Sequence, residues 1–252
     1  MEAPVSKPAL RPGDRRPDQL RTLRVIPDFV GSADGSVLFE LGRTRVLCTA
    51  SLNNGVPGWR RGSGQGWLTA EYSLLPGSTK DRTAREAVIG RQGGRTVEIQ
   101  RLIGRSLRAV IDLRALGERT VYIDCDVIEA DGGTRCAAIS GGYLALHLAL
   151  KRAVDSGALK RYPLNDSVAG VSVGVLGSTP LLDLEYGEDV QADVDMNVVM
   201  TGAGKLIELQ ATAEITPFDR DMLGRLLDLA STGVEAVMAE QARVVTWSYT
   251  QE

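Results

Sequence analysis

The sequence predicts an α+β protein, and three observations support this. Short runs of apolar and β-branched residues bounded by turn residues, such as Val37 to Leu41 and Val168 to Leu176, read as strands. Two longer stretches, Thr96 to Leu116 and Cys136 to Ser156, repeat their apolar residues at helical spacing. These elements follow one another without strict β-α-β alternation, so a doubly wound parallel sheet is not expected.

Taken in order, Met1 to Pro17 reads as a flexible lead-in, residues 18–243 as a single domain, and residues 244–252 as a C-terminal tail. Ser36 to Leu52 forms a hairpin turning at Gly42-Arg43, and Asn53 to Gly66 is a glycine-rich loop. Trp67 to Leu75 is a strand, and Thr83 to Glu86 has the form of a capping box opening a short helix. In the first long helix, Ile99, Leu102, Ile103, Leu107, Val110 and Ile111 line one face. Thr120 to Ala130 is a strand. The second long helix is apolar almost all round, which predicts burial on most sides, with Gly157 as its stop. Val168 to Leu176 and Leu181 to Tyr186 are strands, and Asp195 to Met200 and Lys205 to Glu214 form a hairpin around Gly202-Ala203-Gly204. Asp219 caps a final helix.

Composition narrows the function. The chain has 252 residues, 43% of them hydrophobic and 24% charged, with a net charge of −3. That is ordinary globular composition and excludes a disordered chain, a collagen-like repeat or a uniformly basic nucleic-acid coat. Three cysteines (Cys48, Cys125, Cys136) without C-x-x-C spacing speak against a disulfide scaffold or a cysteine zinc site. The one histidine, His147, excludes a multi-histidine metal centre, and its apolar helix marks it as a satisfied core residue. No apolar run reaches the length of a membrane span, and Met1 to Arg24 lacks a signal-peptide core; a cytoplasmic protein is expected.

Charge is unevenly spread. Arg82 to Arg119 holds nine arginines and four acids, whereas Leu181 to Asp221 holds ten acids, one lysine and one arginine. Separated blocks of opposite sign fit either a salt-bridged surface or a polyanion site beside a metal.

Three familiar patterns fail in context. Gly170-Val-Ser-Val-Gly174 matches a hydrolase elbow but sits inside a strand, with the only histidine upstream. Gly202-Ala-Gly-Lys205 lacks the first glycine and the closing Ser or Thr of a P-loop. Gly62 to Gly66 leads into strand residues, so a dinucleotide site is not expected.

One constellation survives. Asp131-Gly132-Gly133-Thr134-Arg135 joins a strand to a helix, where outward N–H groups favour an anion. Thr134 adds a hydroxyl and Arg135 a fork of donors suited to phosphate. Gly93-Gly94-Arg95-Thr96 repeats the design at the preceding helix. Downstream, Glu188-Asp189 and Asp193-x-Asp195 flank a turn. Magnesium is typically held by one or two carboxylates together with water and substrate phosphates. The competing reading of these segments is a pair of helix caps and a solvated acidic loop.

Longer runs then identify a resemblance. They are Gly35-Ser-Val-Leu38, Val46-Leu-Cys-Thr-Ala50, Gly66-Trp-Leu-Thr-Ala-Glu-Tyr-Ser-Leu-Leu-Pro76, Gly94 to Ala109, Asp124 to Arg135 and Asp195 to Thr201. Across Arg11 to Gln241 the chain resembles the ribonuclease PH family of phosphate-dependent 3′-to-5′ exoribonucleases and tRNA nucleotidyltransferases. The resemblance implies a compact α+β fold in two similar halves that assembles as a hexameric ring, a trimer of dimers. It implies phosphorolytic trimming of tRNA precursors and other RNAs to nucleoside diphosphates, reversible by nucleotide addition. Arg95, Gly133, Thr134 and Arg135 would bind phosphate, Asp189 and Asp195 would be catalytic and hold Mg2+, and Arg82 and Arg85 would contact RNA. Gly77 stands where the family usually has a basic residue, and Cys136 replaces a threonine. Two rivals remain at this point: a catalytically silent RNA-binding ring subunit, and a small-molecule phosphorylase.

Overall fold

A computed structural model describes residues 11–250, with side chains through Thr246. The first half is a five-stranded sheet in the order β1-β2-β3-β5-β4. Its strands are β1 (Leu23–Pro27), β2 (Gly35–Leu41), β3 (Thr44–Asn54), β4 (Trp67–Leu74) and β5 (Arg119–Glu129). Only the edge strand β4 runs parallel to its neighbour. Between β4 and β5 lie the helices α1 (Glu86–Ile89), α2 (Gly94–Arg108) and α3 (Leu113–Leu116).

The second half is a four-stranded antiparallel sheet in the order β7-β6-β8-β9. Its strands are β6 (Val168–Leu176), β7 (Thr179–Leu182), β8 (Val194–Thr201) and β9 (Leu206–Ala213). The short helix α5 (Tyr186–Asp189) precedes β8, and α6 (Arg220–Thr250) packs on β6 and β7.

The apolar helix α4 (Thr134–Asp155) lies between the two sheets and is buried along most of its length, as its all-round apolarity predicts. Its approach to the first sheet is close. A Cβ on Gly141 would stand 2.7 Å from Cys48 Sγ and 2.9 Å from Phe39 Cβ. The glycine thus lets the helix axis settle onto β2 and β3, and its N-terminus is brought to the junction of the sheets.

Several expectations need correction. Residues 1–10 lie outside the described residues, but 11–17 are not a loose lead-in. Arg11 is 5% exposed, and its guanidinium is clamped by Glu188 at 2.6 Å, so a buried ion pair holds the segment down. Of the expected tail at 244–252, residues 251–252 lie outside the described residues, but 244–250 are not a tail, because α6 continues through them and Val244 is buried against the core. The strand β1 had no expected counterpart.

The first long helix stops at Arg108 rather than Leu116. Segment 110–112 bonds instead to residues 163–165, with Asp112 N–H donating to Pro163 O at 2.7 Å and Asn165 N–H to Val110 O at 2.8 Å. Asp112 then caps α3 by accepting from Arg114 N–H at 2.9 Å. Tyr186 does not end a strand but opens α5, where Glu185 and Glu188 form a reciprocal capping box. The expected capping box at Thr83 is absent, since Arg85 occupies the N-cap of α1 without a side-chain bond. Asp219 does cap the last helix, accepting from Met222 N–H at 2.8 Å.

Candidate active site

The two glycine-arginine motifs occupy the expected places, at the starts of α2 and α4. Gly133 is the N-cap of α4 with φ of +69°, and no side chain caps the helix there. Gly132 before it has φ of +81°. A Cβ on Gly132 would strike Leu184 O at 2.6 Å, so only glycine lets this loop pack on the chain entering α5. The uncapped first-turn N–H groups and the macrodipole make this end of α4 favourable to an anion.

At the start of α2, Gly93 is the N-cap and Arg95 lies exposed in the first turn. Glu86 ties this turn to α1: its Oε1 accepts from Gly93 N–H at 3.0 Å and from Thr96 Oγ1 at 2.7 Å. Tyr72 on β4 joins the motifs. Its hydroxyl donates to Thr134 Oγ1 at 2.9 Å, and it feels the charges of both Arg95 and Arg135. Burial pushes the phenol up, so it stays a protonated donor.

The acidic half comes from the second sheet. Asp189 is exposed at the end of α5, and Asp195 is half-buried on β8, opposite Gly174 of β6 and Thr212 of β9. Burial raises the Asp195 carboxyl to about 6, with the neighbouring Asp189 charge adding to it and Arg135 opposing it. Asp189 is exposed as a residue, but neighbouring atoms partly shield its carboxyl from water and raise it, while Arg95 and Arg135 pull it down. Two acids and two arginines from four separate segments therefore act on one another across one site.

Asn197 shares the face of Asp195 by strand alternation. Its Nδ2 lies 3.5 Å from Asp195 Oδ2, and its Oδ1 receives the Cys136 thiol at 3.3 Å. Cys136 thus retains a donor where the family usually has threonine. Gln210 on β9 accepts from Arg135 Nη1, which also reaches Glu98 at 3.4 Å.

A cleft of about 860 Å3 opens on the Arg95 side, lined by Arg85, Arg91 and Gln100. Glu71, Asp124 and Asp126 also line it, and burial together with Glu71 and Asp126 pushes Asp124 up. Arg85 therefore shares a cleft with Arg95. Arg82 is exposed in the loop leading to α1. Among the described residues, no cluster of three or more His, Cys, Asp or Glu side chains has the geometry of a metal site.

Comparison with known proteins decides the family. The family model for 3′ exoribonuclease domain 1 matches residues 19–151, and that for domain 2 matches residues 166–233. The chain belongs to the 3′ exoribonuclease family. The first match ends at residue 151, in the last turns of α4, and the second begins at 166, just before β6, so each carries one sheet.

Among members of the 3′ exoribonuclease family, the chain is 57% identical over 235 residues to ribonuclease PH of Syntrophomonas wolfei, covering 93% of this chain and 98% of that protein. The Archaeoglobus fulgidus exosome with RNA bound to the active site superposes with a TM-score of 0.77 at 20% identity, covering 92% of each chain. Rice Rrp46 superposes with a TM-score of 0.75 at 17% identity, covering 92% of this chain and 98% of that one. These structural likenesses concern the fold. No helix among the described residues is long and apolar enough to cross a membrane.

Tyr72, Glu98, Asn197, Gln210 and Glu214 join the site beyond the residues that the sequence singles out. Glu214 raises both Asp189 and Asp195. Tyr72 and Asn197 lie inside motif runs that the resemblance rests on, which was the available signal. Gln210 carries none, because only the pairing of β9 with β8 brings it in, and Glu214 is held just beyond that strand by its N–H bond to Asp193 O at 2.9 Å.

Proposed function

We propose that Arg95 and Arg135, with the amides and hydroxyl at Gly133 and Thr134, bind the attacking phosphate, and that Asp189 and Asp195 serve the transferring phosphoryl group. The chain is a phosphorolytic 3′-to-5′ exoribonuclease of the ribonuclease PH type, on the strength of 57% identity over nearly the whole of that relative. The observation that supports the site assignment is the approach of Asp189 on α5 and Asp195 on β8 to the two arginines at the starts of α2 and α4.

The chemistry joins two anions, inorganic phosphate and the terminal phosphodiester. Arginine forks and helix-end amides offset their repulsion and align them. Phosphate attacks the phosphorus of the last linkage, the 3′ oxygen of the shortened RNA leaves, and the nucleotide departs as a diphosphate. The nucleophile is already charged, so no histidine base is required. Tyr72 donates to Thr134, which leaves the Thr134 hydroxyl hydrogen free to face the phosphate.

Asp189 and Asp195 would hold a magnesium ion. Burial and, after it, the Asp189 charge raise Asp195; a divalent cation would offset the repulsion between the two, and two carboxylates suffice for magnesium. When bound, such an ion stabilises charge developing on the transferring phosphoryl group. Arg82 and Arg85 would guide the RNA strand, with the acidic lining at Glu71, Asp124 and Asp126 turning the backbone away.

The presence of all four charged groups argues against a silent scaffold. The chain would work as a homohexameric ring, a reading supported by the exosome cores among its structural likenesses and by the exposed Leu206 and Leu209 on the edge strand β9. Its substrates would be tRNA precursors and other 3′-extended RNAs. Incubation of such RNA with magnesium, with and without phosphate, tests the function. Shortening only with phosphate, reversed by excess nucleoside diphosphate, is expected; binding without turnover would return the scaffold reading.

A further inference from the structure

A buried knot of charge behind the phosphate loop has no role in the chemistry above. Arg21 and Asp183 are 7% and 1% exposed. Asp183 follows β7 with φ of +56°, a conformation unfavourable to a non-glycine residue, and its N–H donates to Ser172 O at 2.7 Å. Its carboxylate receives the Arg21 backbone N–H at 2.8 Å, Nε at 2.9 Å and Nη2 at 2.6 Å. The rest of the Arg21 fork turns to the phosphate loop. Nη1 donates to Asp131 O, and Nη2 to Gly132 O at 3.3 Å.

Those two carbonyls set the direction of the amides that follow them. In a trans peptide the C=O and N–H point opposite ways. Holding the Asp131 and Gly132 carbonyls toward Arg21 therefore turns the N–H groups of Gly132 and Gly133 away from it. Thr44 reinforces this: its hydroxyl donates to Gly132 O at 2.7 Å and accepts from Asp131 N–H at 3.0 Å.

The same network fixes the helix bearing Asp189. Arg11 Nε meets Glu188 Oε1 at 2.6 Å and its Nη2 meets Asp183 O at 2.9 Å, while Arg15 Nη2 meets Glu188 Oε2 at 3.0 Å. Tyr186 N–H, at the start of α5, donates to Asp131 O at 3.2 Å. Loop and helix are thus referenced to one set of charges. Buried ion networks contribute little net stability compared with apolar packing, so stability alone is a weak reason to keep one here.

We infer that Arg21, held by Asp183, is a positioning residue for phosphate binding: it orients the peptide planes of the Asp131-Gly132-Gly133 loop so that their amides face the attacking phosphate. The inference rests on the phosphate pocket assigned under Proposed function.

The test is steady-state phosphorolysis with phosphate and RNA varied separately, beside the thermal midpoint shift produced by inorganic phosphate. Arg21→Lys keeps the charge but loses the fork, and the KM for phosphate should rise about tenfold, with the KM for RNA within about twofold. Thr44→Val leaves the ion network intact and serves if the Arg21 variant does not fold. It should raise the phosphate KM severalfold and shrink the phosphate-induced midpoint shift. Equal rises in both KM values, or an unchanged phosphate KM in the folded variants while Arg135→Ala loses phosphate, would overturn the positioning role. An unchanged phosphate KM in Arg135→Ala as well would overturn the pocket assignment itself, and the inference with it.

Discussion

The hydroxyl of Tyr72, on the edge strand of the first sheet, donates to Thr134 Oγ1 at 2.9 Å in the first turn of the central helix. This bond joins β4 to the proposed phosphate loop and orients a hydroxyl that otherwise rotates freely. Tyr72→Phe should leave the fold intact and raise the phosphate KM between about twofold and tenfold, the range of a single neutral hydrogen bond. Phosphate titrations of the two proteins decide it; equal values would remove Tyr72 from the pocket.

Arg95 and Arg135 should be costlier to lose. In the proposed pocket each would provide a charge-assisted contact of roughly 1.5–3 kcal/mol, so alanine at either position should weaken apparent phosphate affinity by about tenfold to a hundredfold. Excess phosphate should recover much of the turnover in each variant. Kinetics with phosphate varied at saturating RNA make the comparison.

Cys136 is buried beside Asn197, and burial pushes its thiol up to about 12. Thiolates react with alkylating agents and thiols do not. Native protein treated with iodoacetamide at pH 8 should show no adduct at Cys136 by peptide mass spectrometry, whereas denatured protein should be labelled. Cys136→Ala, which removes the donor to Asn197, should lower turnover more than Cys136→Thr, which keeps one.

Histidine 147 gives a stability prediction with a definite sign. It is 3% exposed, its Nδ1 pairs with the Tyr162 hydroxyl, and burial, then the Lys151 charge, lowers it from 6.5 to about 4. The unfolded chain therefore binds a proton at a pH where the folded chain does not. Its contribution is full above pH 6.5 and is lost as pH falls toward 4, amounting to roughly 3 kcal/mol at most. Urea midpoints at pH 7 and pH 5 should fall further in the wild type than in His147→Gln. Equal falls would show that this histidine titrates normally.

The long elements and the glycine-arginine motifs were legible because periodicity and turn chemistry are local. The buried helix and the hairpin at Gly202 follow from residues within a few positions of one another. What the sequence hid depends on distant partners. Nothing near Arg108 announces that residues 110–112 will pair with 163–165, although Asp112 is a capping residue in plain view. Arg11 and Arg15 look like a solvated basic tail until Glu188 and Asp183 are placed against them. The same holds in the site: Asp189 and Asp195 were visible as acids, but Gln210 reaches Arg135 only through the register of β9.

The second carboxylate tests the division of labour. Asp195→Asn keeps the shape of the side chain and removes a charge beside Asp189. Single-turnover phosphorolysis should fall by orders of magnitude, while RNA binding in the same buffer should persist or tighten slightly. Near-normal turnover would take Asp195 out of the mechanism.

Light scattering tests the ring. The dominant species should weigh six times the 27.0 kDa protomer, and a monomer active on long RNA would contradict the assembly.

The most direct measurement follows labelled inorganic phosphate through the reaction. With 3′-extended RNA, magnesium and 32P-labelled phosphate, the label should appear in the terminal phosphoryl group of the released nucleoside diphosphates, and omission of phosphate should stop release. Unlabelled nucleoside monophosphates, formed whether or not phosphate is present, would contradict the account and make the chain a hydrolytic nuclease.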